Sequence, residues 1–185
     1  MSSEIYLTTP LKDDDLANIQ VGDKVLISGK IYTARDAAHA RLVKLIQNDE
    51  KLPFDIQGAA IYYVGPAPAP PGKPIGSAGP TSSYRMDPYS PVLLEAGLKA
   101  MIGKGPRSQT VVDSMVKNKA VYLAAVGGAA VVTAQSVISS RVIAYGDLGP
   151  EAIRELEVKE FPAFVANDTQ GNDIYKLGVE KYREE

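Results

Sequence analysis

The chain has 185 residues, 45% hydrophobic and 23% charged, a balance suited to one soluble domain over residues 1–185 with a sizeable core. A formal net charge of −2, with the basic residues scattered, argues against a nucleic-acid partner, whose binding needs massed Lys and Arg. There is no cysteine and a single histidine, so disulfides and any Cys-ligated zinc or iron–sulfur centre held by this chain alone are excluded. No apolar run approaches the roughly 20 residues that span a bilayer. The start Met1-Ser2-Ser3-Glu4-Ile5-Tyr6 lacks the basic and apolar regions of a signal peptide, so no membrane partner and a cytoplasmic location are expected.

Ile5-Tyr6-Leu7 reads as a first strand, broken at Thr8-Thr9-Pro10; Asp13-Asp14-Asp15 then start a helical turn through Leu16 and Ile19. Residues 24–33 alternate apolar and β-branched positions and predict a strand, with Gly29 as its bulge. Ala37, Ala38, Leu42, Leu45 and Ile46 recur at helical spacing and predict a helix over 36–48. Residues 59–64 are almost continuously apolar, as in a strand buried on both faces.

Residues 63–87 follow, a Gly/Pro-rich passage far longer than the usual connection of about 4–6 residues. It ends in Gly79-Pro80-Thr81-Ser82-Ser83-Tyr84-Arg85, where hydroxyls, backbone N–H groups and a guanidinium converge, a combination that suits a carboxylate. Downstream, 91–98 reads as a helix, 99–102 as a strand, and 108–118 as a helix capped near Ser108. A strand over 120–126, a small-residue helix over 129–135 opened by Gly127-Gly128, and a strand over 137–145 come next. The closing third reads as shorter strands over 153–164 and 173–175 around a hairpin turn at 167–172, with a solvated charged end at 180–185.

The alternation of strands and helices predicts an α/β fold with a largely parallel central sheet, and the tail predicts a smaller β-rich part. Ligands on such sheets sit at the carboxyl ends of the strands. The loops after Thr33, Val64 and Ile102 lie there.

Each candidate residue has a plainer reading. Arg35, at a strand-to-helix junction, offers a planar fork for a carboxylate, but a surface ion pair with Asp36 also explains it. His39 lies one helical turn further on, and a lone histidine is more often structural than catalytic. Thr81, Ser82 and Ser83 are ordinary N-cap types, yet capping explains one of them and not the long lead-in or Arg85 four residues later. Asp87 stands where it can hold Arg85. Lys104 sits between two glycines, where backbone approaches a ligand closely, or simply in an exposed turn. The Gly-x-x-x-x-Gly-Lys spacing of a Walker motif is absent. Gly127-Gly128 suits an anion or tight strand–helix packing equally. From these residues alone the reading is two arginines, a lysine and a threonine around a small polycarboxylate.

Several multi-residue motifs, taken in order, add a resemblance. They are residues 28–39 (Ser-Gly-Lys-Ile-Tyr-Thr-Ala-Arg-Asp-Ala-Ala-His), Tyr63-Val64-Gly65-Pro66-Ala67-Pro68, residues 76–87 and Met101-Ile102-Gly103-Lys104-Gly105. Gly127-Gly128-Ala129-Ala130 and the closing Phe161-Pro162-Ala163-Phe164-Val165 with its Asp168-x-x-Gly171-Asn172 turn extend them. The chain resembles the β subunit, or C-terminal region, of the iron–sulfur hydro-lyases: class I fumarase and L-tartrate dehydratase.

The resemblance implies a swivelling β/β/α-type domain that closes over a [4Fe-4S] cluster held by cysteines of an α subunit. It implies reversible hydration of fumarate to malate, activity only with that partner, and a homodimer of such pairs within a heterotetramer. By motif, Thr81 would be the proton-abstracting group; Arg35, Arg85 and Lys104 would hold substrate carboxylates; Gly79 and Ser82 would shape the loop. Tyr84 departs from the pattern, standing where a small residue is expected, and Arg107 is an open candidate for a further anion contact. A tartrate dehydratase β subunit and a non-catalytic dicarboxylate-binding module are the alternatives.

Overall fold

The computed structural model describes residues 4–125 and 130–182. Seven strands among these residues form one mixed sheet in the order β1-β2-β3-β4-β5-β7-β6, with a further β2–β7 pairing. The strands are β1 (Ile5–Thr8), β2 (Lys24–Thr33), β3 (Ala60–Tyr62), β4 (Ala100–Gly103), β5 (Val121–Ala124), β6 (Val137–Ala144) and β7 (Ile153–Asn167). Pairings from β1 through β5 are parallel, as the strand–helix alternation predicts. β7 runs antiparallel to β2, β5 and β6, so the sheet as a whole is mixed.

The β2–β7 pairing closes β2-β3-β4-β5-β7 into a ring, and strand alternation then gives each member an inward and an outward side chain. Val25, Ile27, Tyr62, Ile102, Leu123, Phe161 and Val165 fill the inner core. The Tyr62 and Phe161 rings meet edge to face there, with centroids 5.1 Å apart. Ile61, Tyr63, Met101 and Tyr122 point the other way and pack against α2 (Asp36–Gln47), α3 (Ser90–Glu95) and α4 (Gln109–Asn118). Burial on both faces is why 59–64 reads as unbroken apolar sequence. Each fully buried large side chain contributes about 1.5–3 kcal/mol. α1 (Asp13–Leu16), α5 (Ala130–Gln135) and α6 (Ile174–Tyr182) complete the α-helices among the described residues, beside two 3-10 turns at Ser83–Met86 and Gly146–Glu151. None is long and apolar enough to cross a membrane.

The closing third departs from expectation. In place of shorter strands, β7 is one strand of 15 residues. Pro162 does not break it, for a reason visible in the ladder. Val165 N–H donates to Asp23 O at 2.9 Å, and alternation then makes Phe161 and Ala163 the residues bonded to β2. The Pro162 nitrogen faces the other side, where β7 has left β6 after Val158 and not yet met β5 at Phe164, so its missing N–H removes no ladder bond. The bulge also moves: two steps on β2 (Ile27 to Gly29) face three on β7 (Phe161 to Val158), so the extra residue lies on β7. Gly29, at φ 102°, is required because a Cβ would meet Thr9 Oγ1 at 2.6 Å. Of residues 173–175, expected as strand, Asp173 makes only an isolated β-bridge with Asn167, and Ile174 and Tyr175 begin α6 behind a turn organised by Asp168, whose carboxylate accepts from the N–H groups of Gln170 and Asn172. The Gly127-Gly128 pair and the last three residues of the charged end lie outside the described residues.

Candidate active site

A line of backbone hydrogen bonds runs across the carboxyl ends of β2, β3 and β4 and gathers their loops. Ala34 N–H donates to Tyr62 O (3.2 Å), Thr81 N–H to Tyr63 O (2.7 Å) and Ser83 N–H to Lys104 O (2.9 Å), and Ser82 pairs with Lys104 as a β-bridge. The loops carrying Arg35, Thr81, Ser82, Arg85 and Lys104 therefore meet at one end of the sheet. The Gly/Pro passage that delivers Thr81 folds back on itself, Ala67 N–H donating to Ser77 O at 2.9 Å. Gly76 lets it do so, because a Cβ there would run into the carbonyl oxygens of Ala67 and Pro68. Ala78 ties the passage down: its carbonyl accepts from the Tyr62 hydroxyl and, at 3.1 Å, from Thr133 Oγ1. Gly79 is exposed, and a Cβ there would make an ordinary contact with Ala130 at 3.6 Å. Gly76, one of ten Gly and Pro residues in the passage and not marked out by the sequence, is the glycine whose Cβ the fold-back cannot admit.

Arg35 and Arg85 come together on one carboxylate. Arg85 Nη2 donates to Asp36 Oδ2 at 2.7 Å, and Arg35 Nη2 lies 3.8 Å from the same oxygen. Arg35 Nε approaches Glu151 Oε1 at 3.1 Å without hydrogen-bond alignment. The Arg35 side chain lies across Gly65, where a Cβ would stand 3.3 Å from Nη1. Both guanidiniums thus keep donors that no described residue uses. Lys104 is exposed and has no ion pair among the described residues. Asp87 does not hold Arg85; its partner is Arg107.

Arg107 is no free anion contact. Its side chain is fully enclosed: Nε donates to Asp87 Oδ1 (2.7 Å), Nη2 to Ser90 Oγ (2.7 Å), and Cζ lies 5.4 Å and 5.0 Å from the ring centroids of Tyr63 and Tyr122. Burial by itself would lower its pKa; Tyr63, Asp87 and Tyr122 outweigh that and hold it above the ordinary guanidinium value. The Tyr122 hydroxyl donates to Gly105 O and accepts from Ser83 Oγ, both at 2.8 Å, bolting the Thr81 turn to the Lys104 turn. Burial raises the Tyr122 pKa, so the bolt stays protonated. Ser83 presses on Gly103 so closely that a Cβ there would occupy the Ser83 hydroxyl's place.

The three hydroxyls in a row are therefore separated by environment. Ser83 is buried and bonded to Tyr122, whereas the half-buried Thr81 and Ser82, the latter on the backbone β-bridge, have no partner for their hydroxyls among the described residues. Sequence spacing gave no hint of which would be which, because the separation depends on Tyr122, 39 residues from Ser83.

His39 is buried, with Nδ1 2.8 Å from the Arg35 carbonyl and Nε2 without a partner among the described residues. Desolvation pushes its pKa down to about 4, so the ring is neutral near pH 7. Among the described residues no three His, Cys, Asp or Glu side chains group in a way that could hold a metal ion, and the chain has no thiol. Its donor set does not fit the ligation of an iron–sulfur cluster.

Residues 1–178 match the model of the family described as Fumarase C-terminus. The chain belongs to that family. "Fumarate hydratase class I, anaerobic" of Escherichia coli K12 is 41% identical over 96% of this chain and 33% of its own length. "Fumarate hydratase 2" of Leishmania major is 39% identical over 86% of this chain and 28% of its own length. The chain spans about a third of the length of these relatives. A Methanocaldococcus jannaschii protein bearing the provisional name L(+)-tartrate dehydratase subunit beta is 38% identical over 92% of this chain and 91% of its own length.

Proposed function

We propose that this chain is the β subunit of a two-part class I fumarate hydratase, gripping a C4 dicarboxylate and moving its proton. The observation that carries the reading is the under-used cation set: Arg35, Arg85 and Lys104 meet at the sheet end that also presents the unpartnered Thr81 hydroxyl. A nearby relative of matching length that is itself named a subunit supports the two-part arrangement. The [4Fe-4S] cluster that the family uses is held, in this reading, by an α partner, over which the present domain swivels closed.

The chain's own residues divide the work as follows. Arg35 and Arg85 take substrate carboxylates in place of, or beside, Asp36, their forks suiting bidentate pairing. Lys104 adds a point charge from the neighbouring turn. Thr81 takes the proton from the carbon adjacent to the hydroxyl-bearing carbon of malate; the C–O bond breaks, the double bond forms, and the departing hydroxide takes up the proton that Thr81 removed and leaves as water, which restores the Thr81 base. Hydration reverses each transfer. An isolated threonine is a poor base, and the surrounding cations favour its alkoxide.

The test is co-expression with the α partner, anaerobic cluster reconstitution, and fumarate absorbance followed on adding fumarate or malate, with tartrate as control. Rapid interconversion needing both chains is expected. Turnover of tartrate alone would make it a tartrate dehydratase β subunit, the reading favoured by the length-matched relative. A stable, cluster-loaded complex that turns over neither would leave a dicarboxylate-binding module.

A further inference from the structure

His39 is a buried polar ring that the reading above leaves without work. Its Nδ1 lies 2.8 Å from the carbonyl of Arg35, and its own backbone N–H donates to that same oxygen at 2.9 Å. A carbonyl only accepts, so Nδ1 carries the proton and Nε2 is the bare nitrogen, buried with no partner among the described residues. The ring is packed edge-on to Tyr63 (centroids 5.3 Å) and tilted against Tyr89 (6.1 Å). A leucine would fill that space without stranding a nitrogen; what a leucine lacks is the donor.

The residue receiving that donor is unusual too. Arg35 is the N-cap of α2, a place where Ser, Thr, Asp or Asn normally turns its side chain back onto the helix. Arg35 makes no such bond, and its side chain leaves the helix to lie across Gly65 beside Asp36. The conformation of its backbone, extended at φ −120° and ψ −166°, decides where the guanidinium goes.

We propose that His39 is a positioning residue: its Nδ1–H holds the Arg35 carbonyl and thereby aims the Arg35 guanidinium at the substrate carboxylate. This rests on Arg35 being a carboxylate clamp, as proposed above. Because Arg85 is fixed by Asp36 rather than by this ring, the effect is confined to one of the two forks.

Three variants in the assembled two-part enzyme test it. His39→Leu removes the donor, His39→Asn puts an amide N–H where Nδ1 stood, and His39→Gln puts one where Nε2 stood. His39→Leu and His39→Gln are expected to raise KM for fumarate by about tenfold with kcat within about threefold, and His39→Asn to restore most of the loss. Arg35→Lys is run beside them. If Arg35→Lys raises KM and His39→Leu does not, positioning is overturned and the clamp stands. If neither moves KM, the clamp reading falls and takes the proposal with it. Should the leucine variant fail to assemble, the Asn and Gln variants decide: Gln outperforming Asn overturns the proposal. A second readout needs no turnover. With one histidine in the chain, 15N-histidine labelling of this chain alone gives one imidazole in the complex. Its nitrogen shifts are expected to report the Nδ1–H tautomer at neutral pH; an Nε2–H tautomer would overturn the proposal whatever the kinetics.

Discussion

Arg107 and the pair Arg35–Arg85 are the same residue type at the same end of the sheet, yet their surroundings are opposite. Arg107 is fully enclosed, with donors spent on Asp87 and Ser90 and the rings of Tyr63 and Tyr122 close by. Arg35 and Arg85 are partly open, at 23% and 44% side-chain exposure, and share the Asp36 carboxylate, with Glu151 also beside Arg35. The hydroxyls repeat the contrast: Ser83 is buried on Tyr122, whereas Thr81, two residues earlier, has no partner among the described residues. A saturated group builds the turn, and an unsaturated one is available to a ligand. The site is recognised by polar groups the fold leaves unspent.

That contrast is sharpest where removal is expected to act on turnover in one case and on stability in the other. Thr81→Ala in the assembled enzyme is expected to lower kcat by about 10²–10⁴, the usual share of a proton-transfer group, with KM little changed. Unchanged turnover would take Thr81 out of the mechanism. Arg107→Met is expected to destabilise by about 3–5 kcal/mol, since it leaves Asp87 without its buried partner. Urea denaturation of the complex reads this; a loss below about 1 kcal/mol would mean Arg107 is not the staple described here.

His39 extends the structural side of the comparison to pH. Its pKa falls from 6.5 to about 4 on folding, so the unfolded chain binds the proton more readily between those values. The stabilisation is complete above about pH 6.5 and is lost as pH falls towards 4. By the unit conversion it amounts to about 3 kcal/mol at most. Denaturation midpoints measured across that window are expected to slope downward with acid, and to slope less in His39→Leu. An equal slope in both would place the acid-sensitive group elsewhere. A smaller loss, about 1–3 kcal/mol, is expected for Gly103→Ala, whose added methyl displaces Ser83 from Tyr122. If its melting temperature matches the parent, the two turns are less tightly bolted than the geometry indicates.

Much of the frame was legible because it rests on local pattern. β2 has the residue limits that its alternation predicts, α2 stops one residue short of expectation, and Ser108 caps α4 by accepting from Val111 N–H. Motif order was enough to point to the family that residues 1–178 match. What stayed hidden depends on partners far along the chain. β7 reads as a shorter strand ending at Phe164 until its three neighbours are known. Asp87 is close to Arg85 in sequence but is taken by Arg107, 20 residues on, while Asp36, 49 residues back, holds Arg85. Glu151, beside Arg35, carries no signal at all in a stretch of turn-like sequence.

The smallest expected effect discriminates best between a spent and an unspent arginine. Arg85→Lys keeps the charge and shortens nothing essential to the fold, but it replaces a planar fork with a single point donor. Its one bond among the described residues, to the partly exposed Asp36, is of the kind worth at most about 1 kcal/mol, so the denaturation midpoint is expected to hold nearly steady. The loss belongs in substrate binding: KM for fumarate is expected to rise about tenfold with kcat little altered, since one bidentate contact is uniform to substrate and transition state. A fall in kcat with KM fixed would put Arg85 on the developing charge instead of the resting carboxylate. A loss of stability with kinetics unchanged would place it with Arg107 among the groups that build the turn, and would leave Arg35 and Lys104 to hold the dicarboxylate.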